Sequence, residues 1–223
     1  MQKDVGMNDF VIIPAHNESE HIAKVVQGAL QYVPRVVVVD DGSKDDTTLQ
    51  AQQAGASVLK HAVNLGKGAA LKTGCEYALQ QGAERMVVMD ADGQHDPKEI
   101  PKFFAVLGDH DLAFGVRSVP ESMPLVLQFG NQVINKTLQL LYHMKINDSQ
   151  CGYRGFTAQA YPKLRWDATN YYVETEMIIK AGKHKLTHTQ LPIETIYADK
   201  YKGTTVLDGV IIMSKMISWR VLK

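Results

Sequence analysis

Short apolar runs alternate with longer amphipathic segments through the first half of the chain, and this alternation limits the fold more than any other feature. The runs are too short for helices and most lack apolar–polar alternation, which is typical of strands buried on both faces. They cover residues 10–13, 35–39, 57–59, 86–89 and 111–115. The segments between them carry apolar residues at helical spacing and cover residues 18–32, 45–54, 67–81 and 97–107. The pattern predicts an α/β protein with a mostly parallel central sheet and helices on both faces.

The second half of the chain has a less regular pattern. Helices are predicted over residues 124–142, 172–181 and 206–223, and a loop dense in functional side chains over 147–156. Pro14 is expected to end the first strand, and Pro192 to break the strand region near the end of the chain. No internal repeat or low-complexity linker forces a domain boundary.

Composition excludes some broad classes of function. Lys and Arg together number 24, as do Asp and Glu, and a formal net charge of zero argues against nonspecific nucleic-acid binding. Cys75 and Cys151 form no CxxC pair and no disulfide framework, so a reducing, cytosolic setting is expected. The sequence contains no run of 18 uncharged apolar residues, so no transmembrane helix is predicted.

Polar loops rich in acidic residues or glycine follow the predicted strands. They cover residues 14–18, 40–43, 64–68 and 90–92. Any one of these loops would suit an ordinary helix cap or turn. Parallel strands, however, place all four along one edge of the sheet, where α/β proteins bind their ligands. The sequence therefore predicts a shared ligand site at this edge.

Asp90 and Asp92 lie where the run 86–89 leaves the predicted sheet. Carboxylate oxygens suit Mg²⁺ or Mn²⁺, and a diphosphate could supply further ligands; a plain polar turn is the alternative. Lys67 begins a predicted helix and could meet a phosphate, because the helix dipole and its charge act together. The full patterns GxxxxGKS/T and GxGxxG are absent, so neither a P-loop NTPase nor a dinucleotide dehydrogenase is indicated.

Several segments resemble a known family. The signature series of family-2 glycosyltransferases with the GT-A fold is similar to residues 11–18, 38–47, 64–70 and 90–97. The dolichyl- or polyprenyl-phosphate hexosyltransferase branch of that family is similar to residues 115–117, 130–131 and 148–154. The resemblance implies one GT-A catalytic domain over residues 1–223. In that domain residues 9–115 would bind the nucleotide sugar, residues 116–205 the acceptor, and 206–223 would form a C-terminal helix.

The resemblance also implies roles in donor binding. The nucleotide would be bound by Pro14, Ala15, Asn17, Glu18, Asp40, Asp41, Lys67, Asp90 and Ala91. Within this set Asp41 would accept a hydrogen bond from the base or ribose, whereas Asp40 could instead shape the loop. Mg²⁺ or Mn²⁺ would be held by Asp90, Asp92 and Gln94, with the donor phosphates completing its coordination.

On the acceptor side, a lipid phosphate is already anionic and needs orientation rather than a base. The catalytic groups would then be Asp92, Arg117 and Arg154, because a guanidinium can bind phosphate through two hydrogen bonds. For Arg154 the alternative is a salt bridge to Asp148 or Glu174.

Further candidates lie later in the chain. Lys200 and Lys202, on a predicted loop, could close over donor or acceptor. If the acceptor is a hydroxyl, Glu174 or Glu176 becomes a candidate base. Gln128 stands where the branch often has a basic residue, which weakens the lipid-phosphate assignment.

The function expected from the resemblance is inverting, metal-dependent transfer of a hexose from a nucleotide sugar, GDP-mannose or UDP-glucose, to dolichyl or polyprenyl phosphate. A family-2 enzyme with a saccharide or other hydroxyl acceptor is the alternative; a nucleotidyltransferase and a non-catalytic nucleotide-binding module are less consistent with these motifs. The expected setting is the cytoplasmic face of a membrane, reached peripherally or through an anchoring partner, with no nucleic acid bound.

Overall fold

A computed structural model describes residues 5–118, 125–196 and 213–216, and of residues 125–129 it describes the backbone alone. Seven strands form a single sheet in the order β3-β2-β1-β4-β6-β5-β7. The strands are β1 Asp9–Ala15, β2 Arg35–Asp40, β3 Ser57–Lys60, β4 Arg85–Val88, β5 Leu112–Arg117, β6 Arg154–Thr157 and β7 His188–Ile193. The helices are α1 Ile22–Leu30, α2 Thr47–Gln53, α3 Lys67–Gln80, α4 Ile100–Val106, α5 Leu125–Tyr142, α6 Tyr161–Leu164 and α7 Val173–Lys183. A 3-10 turn, Pro97–Glu99, precedes α4.

The sheet is parallel except for β6, which pairs antiparallel with both β4 and β5. The α/β class with a mostly parallel sheet is thus confirmed. The prediction of a loop over 147–156 was wrong at its end, because Arg154–Thr157 is strand β6. The glycine of its Arg-Gly-Phe-Thr sequence disfavours a strand, and backbone pairing on both sides imposes the extended form.

Both proline predictions were also wrong, for related reasons. β1 continues through Pro14, and β7 continues through Pro192. Proline lacks an N–H group, so it is tolerated where one side of a strand needs no donor. The pairing of β1 with β4 ends at Ile12, so Pro14 has only β2 beside it. β7 lies at the edge of the sheet, next to β5 alone.

Two hydrophobic clusters, one on each face of the sheet, form the core. Val37 and Val39 of β2 belong to the cluster that includes α3, whereas Val36 and Val38 belong to the cluster that includes α1. Successive residues of a strand point to opposite faces, so this division shows that helices cover both faces. The almost unbroken valine run of β2 is explained by burial on both sides.

The remaining expectations concern helices and thiols. Cys75 and Cys151 are both buried and unbonded to each other. Within residues 5–118, 125–196 and 213–216, no helix is long and apolar enough to cross a membrane. Of the C-terminal helix predicted over 206–223, only residues 213–216 are described, and these are helical.

Gly74 tests the contact between α3 and the sheet. A Cβ atom at this position would lie 2.5 Å from Ile12 Cγ2 and 3.0 Å from Val39 Cγ2. Both methyl groups belong to β-branched side chains that have little freedom to move. We expect Gly74→Val to lower the free energy of unfolding by about 2 to 3 kcal/mol, as overpacked cores do, measured by urea denaturation.

Gly130, in α5, provides the matched control. A Cβ atom there meets no heavy atom within 4 Å in the described part of the chain. Gly130→Val should therefore change stability by less than about 1 kcal/mol, because only helix propensity changes. Equal losses in the two variants would contradict close packing at Gly74.

Candidate functional site

The loops after β1 and β2 are fastened to each other at the carboxyl edge of the sheet. The Asn17 N–H donates to Ser43 Oγ over 2.9 Å, and the Lys44 N–H donates to Asn17 Oδ1 over 2.9 Å. Asn17 has a positive φ of 55°, a conformation that asparagine tolerates better than most residues. The Glu18 N–H donates to Thr47 Oγ1 over 2.8 Å. These bonds fix the backbone of two loops that were predicted to bind nucleotide.

Asp40 and Asp41 brace these loops from within. The Asp40 carboxylate is fully buried and accepts hydrogen bonds from the Ser43 N–H, at 2.8 Å, and from the Thr48 hydroxyl. Although burial acts in the opposite direction, these hydrogen bonds lower the pKa of Asp40. Asp40 therefore shapes the loop, which was one of the two alternatives for it.

Asp41 organises the start of α3. Its carboxylate accepts hydrogen bonds from the N–H groups of Leu65, at 2.9 Å, and Gly66, at 2.7 Å. The His61 Nδ1 lies 2.7 Å from Asp41 Oδ1, and its Nε2 lies 2.9 Å from Thr73 Oγ1. Asp41 thus fixes the residues that precede Lys67, and its contact with a base or ribose stays a prediction. His61 follows β3 directly, and no sequence pattern singled it out.

Lys67 connects the loop after β4 to the first turn of α7. Its Nζ lies 2.6 Å from Asp90 Oδ1, after β4, and 2.7 Å from Glu174 Oε1, in the first turn of α7. Burial alone would lower the pKa of Lys67, but the two carboxylates outweigh it and raise that pKa well above its usual value. Burial alone would raise the pKa of Asp90, but the positive charges of Lys67 and Arg117 lower it to about 2. The ammonium of Lys67 thus joins two carboxylates by charge.

The segment between β6 and α7 packs against the start of α3, and Gly152, just before β6, lies beside the ion pair of Lys67. The Gly68 N–H donates to Thr169 O over 2.7 Å, and Trp166 Nε1 donates to Gly68 O over 2.8 Å. At Gly152 a Cβ atom would lie 2.6 Å from Asp90 Oδ2 and 3.0 Å from Lys67 Nζ. Glycine is needed there because any side chain would enter the ion pair.

The loop Asp90–Gln94 is held in shape by its own backbone and by His95. The Gln94 N–H donates to Asp92 Oδ1 over 3.0 Å, and the Asp90 N–H donates to His95 Nδ1 over 3.0 Å. The His95 ring is buried and stacks on Tyr153, with centroids 4.8 Å apart. Burial lowers the pKa of His95, which favours the neutral ring that this acceptor role requires. His95 is thus a supporting residue that the prediction of the metal loop passed over.

This loop offers an incomplete site for a divalent cation. Within the described residues, no three His, Cys, Asp or Glu side chains are arranged to hold a metal by themselves. Asp90, Asp92 and Gln94 are all partly exposed and carry hard oxygen atoms. Mg²⁺ is commonly bound through one or two carboxylates together with substrate phosphates, so this donor set fits a cation that arrives with a diphosphate.

The remaining predicted nucleotide residues lie around this centre. Pro14 and Ala15 end β1, and Ala91 sits between the two aspartates; all three side chains are buried. Only the backbone of these residues is therefore suited to contact a nucleotide. Glu18 is half-buried at the rim.

Arg154 is buried and bonded to the protein itself, and its predicted contact with phosphate stays a prediction. It is 2% exposed, and it donates to Cys151 O at 2.9 Å, Ser149 O at 2.8 Å and Glu174 O at 2.5 Å. Its guanidinium also lies over the Phe114 ring. A phosphate contact would require breaking these bonds, so Arg154 braces the loop after α5 against α7. The alternative was a salt bridge to Asp148 or Glu174, but the hydrogen bonds of Arg154 go to carbonyl oxygens.

Arg117 has a different environment. Its Nε lies 2.8 Å and its Nη2 3.0 Å from the two oxygens of Asp148, and its side chain is 23% exposed. It therefore remains a candidate for contacting an anion, with Asp148 as the group that orients it.

Glu176 is buried, and three further candidates have side chains outside the described residues. Glu176 was a candidate base, but its carboxylate accepts from the N–H groups of Asp167 and Ala168 at 3.0 and 2.8 Å and lies 3.2 Å from Lys180 Nζ. These contacts give Glu176 a structural role, and its role as a base stays a prediction. Lys200, Lys202 and the side chain of Gln128 lie outside the described residues.

Comparisons with known proteins identify relatives of this chain. The family model described as Glycosyl transferase family 2 matches residues 10–165. UDP-N-acetylglucosamine–dolichyl-phosphate N-acetylglucosaminyltransferase of Methanococcus voltae is 31% identical, and the match covers 93% of this chain and 94% of that protein. Polyprenol monophosphomannose synthase of Mycolicibacterium smegmatis is 29% identical, with 94% and 85% covered.

A solved structure supports the fold. Glucosyl-3-phosphoglycerate synthase from Mycobacterium tuberculosis, in complex with Mn²⁺, uridine diphosphate and glucosyl-3-phosphoglycerate, has a TM-score of 0.71. The identity is 20%, and the match covers 96% of this chain and 80% of that chain. The predicted GT-A architecture is confirmed.

Removal of the Lys67 charge should destabilise the fold. Lys67→Met would leave Asp90 and the buried Glu174 without their shared ammonium. Breaking a largely buried ion pair from one side costs about 3 kcal/mol, so we expect a loss of this size in urea denaturation at pH 7. Lys98→Met removes the same charge from an exposed pair with Glu194 and should have little effect. Equal stability of Lys67→Met and wild type would contradict the ion-pair assignment.

Proposed function

Because the chain belongs to glycosyl transferase family 2, we propose that it transfers a hexose from a nucleotide sugar to a polyprenyl phosphate. One observation carries this proposal. Lys67 connects Asp90, in the partly exposed acidic loop, to α7, the helix that we assign to the acceptor side. Two of its relatives have names that specify dolichyl phosphate or polyprenol as the acceptor. Family membership itself makes the chain a glycosyltransferase.

On the donor side, we assign the loops after β1 and β2 to the nucleoside and the loop after β4 to the diphosphate. The first two are fastened to each other through Asn17 and Ser43, which gives the nucleoside a fixed surface. Lys67 lies at the start of α3, where its charge and the helix dipole both favour a phosphate.

Asp90, Asp92 and Gln94 would hold Mg²⁺ or Mn²⁺ together with the donor phosphates. A divalent ion bound there would neutralise the charge that develops on the departing nucleoside diphosphate. The solved relative with Mn²⁺ and uridine diphosphate supports this use of a cation, and the choice between the two ions is part of the proposal.

On the acceptor side, we assign Arg117 to the phosphate. A phosphate acceptor is already anionic, so it must be oriented and its charge compensated, and no general base is needed. Asp148 holds the guanidinium of Arg117 through two of its nitrogens and leaves it partly exposed. Because the acceptor carries a lipid, we propose that the chain acts at a membrane surface; an anchoring partner is a further part of this proposal.

The alternative is a hydroxyl acceptor, as in an enzyme that transfers to a saccharide. The solved relative is in complex with glucosyl-3-phosphoglycerate, which is not a lipid product. In that case a carboxylate would be needed as the base, and Glu174 is the remaining candidate because Glu176 is fully engaged.

A transfer assay tests the proposed function. The chain is incubated with Mn²⁺ or Mg²⁺, polyprenyl phosphate in detergent, and labelled GDP-mannose, UDP-glucose or UDP-N-acetylglucosamine in turn. We expect one donor to give label that partitions into the organic phase, and EDTA to abolish it. Label transferred to a free saccharide or to 3-phosphoglycerate, with no lipid product from any donor, would reject the polyprenyl-phosphate assignment.

Asp92→Ala tests the metal assignment separately from catalysis. Binding of the nucleoside diphosphate is measured by calorimetry with Mn²⁺ and with EDTA. We expect the strengthening by Mn²⁺ to fall by at least about tenfold, because even residues that only support ligands change metal affinity by that amount.

Glu84→Ala is the control for Asp92→Ala. It removes the same charge just before β4 begins, at the opposite end of the strand from Asp92. Its nucleotide binding should keep the dependence on Mn²⁺. If Asp92→Ala keeps the full dependence as well, the acidic loop does not hold the cation.

A further inference from the structure

Glu174 has one carboxylate oxygen that the fold leaves without a hydrogen bond. Its Oε1 lies 2.7 Å from Lys67 Nζ, whereas its Oε2 is buried and has no hydrogen-bond partner in the described part of the chain. The residue as a whole is only 5% exposed. An ionised carboxylate is an acceptor only, and burying one of its oxygens without a donor is costly. This oxygen is therefore suited to a donor group that a ligand brings.

The position of this oxygen relates it to the sugar donor. Lys67 Nζ also lies 2.6 Å from Asp90 Oδ1, so the Glu174 and Asp90 carboxylates lie on two sides of one ammonium group. Asp90 belongs to the loop assigned to the diphosphate. A group that contacts both the diphosphate loop and the first turn of α7 would be the hexose attached to that diphosphate.

Two hydrogen bonds hold the first turn of α7, and the contact with Lys67 orients the Glu174 carboxylate. Arg154 Nη1 donates to the Glu174 carbonyl oxygen over 2.5 Å. Gln150 Nε2 donates to Thr175 Oγ1 over 3.3 Å. Glu174 therefore has its position beside Lys67 without a bound ligand.

We propose that Glu174 determines specificity for the donor sugar: its Oε2 accepts a hydrogen bond from a hydroxyl group of the hexose while its Oε1 remains on Lys67. This inference rests on the proposed function, because it requires a nucleotide sugar in the site. A buried acceptor discriminates strongly between a sugar that presents a hydroxyl there and one that does not, since the acceptor otherwise stays unpaired.

The test compares two ligands in two forms of the protein. The donor that is transferred, whether UDP-glucose, GDP-mannose or UDP-N-acetylglucosamine, and the matching nucleoside diphosphate are titrated into wild type and Glu174→Gln. We expect the substitution to weaken binding of the nucleotide sugar by about tenfold or more, as loss of a hydrogen bond to a charged group does, and to leave the nucleoside diphosphate unaffected. Equal weakening of both ligands would show that Glu174 acts only by holding Lys67, and would overturn the proposal.

Analogues of the same donor, each lacking one hexose hydroxyl, give an independent measurement on the wild type. One analogue should bind about tenfold more weakly than the parent, and only that analogue should be insensitive to Glu174→Gln. Equal affinity of the wild type for all analogues would overturn the proposal even if the variant does not fold.

One control variant and the behaviour of the wild type separate this inference from the proposed function. Glu76→Gln alters an exposed carboxylate that pairs with Arg165 and should bind every ligand like wild type. If wild type binds no nucleotide sugar at all, the proposed function fails together with the inference. If wild type binds and transfers the sugar but Glu174→Gln discriminates as well as wild type does, the inference alone fails.

Discussion

The ammonium group of Lys67 is the contact on which the site depends. It is the point where α3, the loop after β4 and the first turn of α7 meet. Charged groups that are largely removed from water are tolerated only when they are paired, so the three segments cannot move apart independently. The glycines around this ion pair follow from the same constraint. Gly68 and Gly152 let the backbone of the second half approach the ion pair without a side chain between them.

The sheet and the acidic rim could be predicted from sequence because their signals are local. The valines of β2 are buried on both faces, and a run of such residues indicates a central strand without further information. β6 and the continuation of β1 and β7 through proline were missed for the opposite reason. Whether Pro14 or Pro192 is tolerated depends on which strands lie beside it, and strand order is not written in the local pattern.

The same limit explains the two arginines. Arg117 and Arg154 both stand in segments with charged and polar neighbours, and the sequence treats them alike. In the structure Arg154 lies on a strand paired on both sides, where its guanidinium can reach only carbonyl oxygens and an aromatic ring. Arg117 ends β5 nearer the rim and keeps part of its surface exposed. Burial therefore decides which of the two guanidinium groups is accessible to a ligand.

The charges of the site also bear on the order in which ligands arrive. Asp90, Asp92 and Glu174 carry three carboxylates against the single ammonium of Lys67, while Arg117 and Asp148 balance each other. Burial favours the neutral form of His95, so it adds no compensating charge. These six groups thus have a formal charge of minus two, which repels a bare nucleoside diphosphate and attracts a divalent cation. We therefore expect the donor to enter with its cation, since the two together are far less anionic than the nucleotide alone.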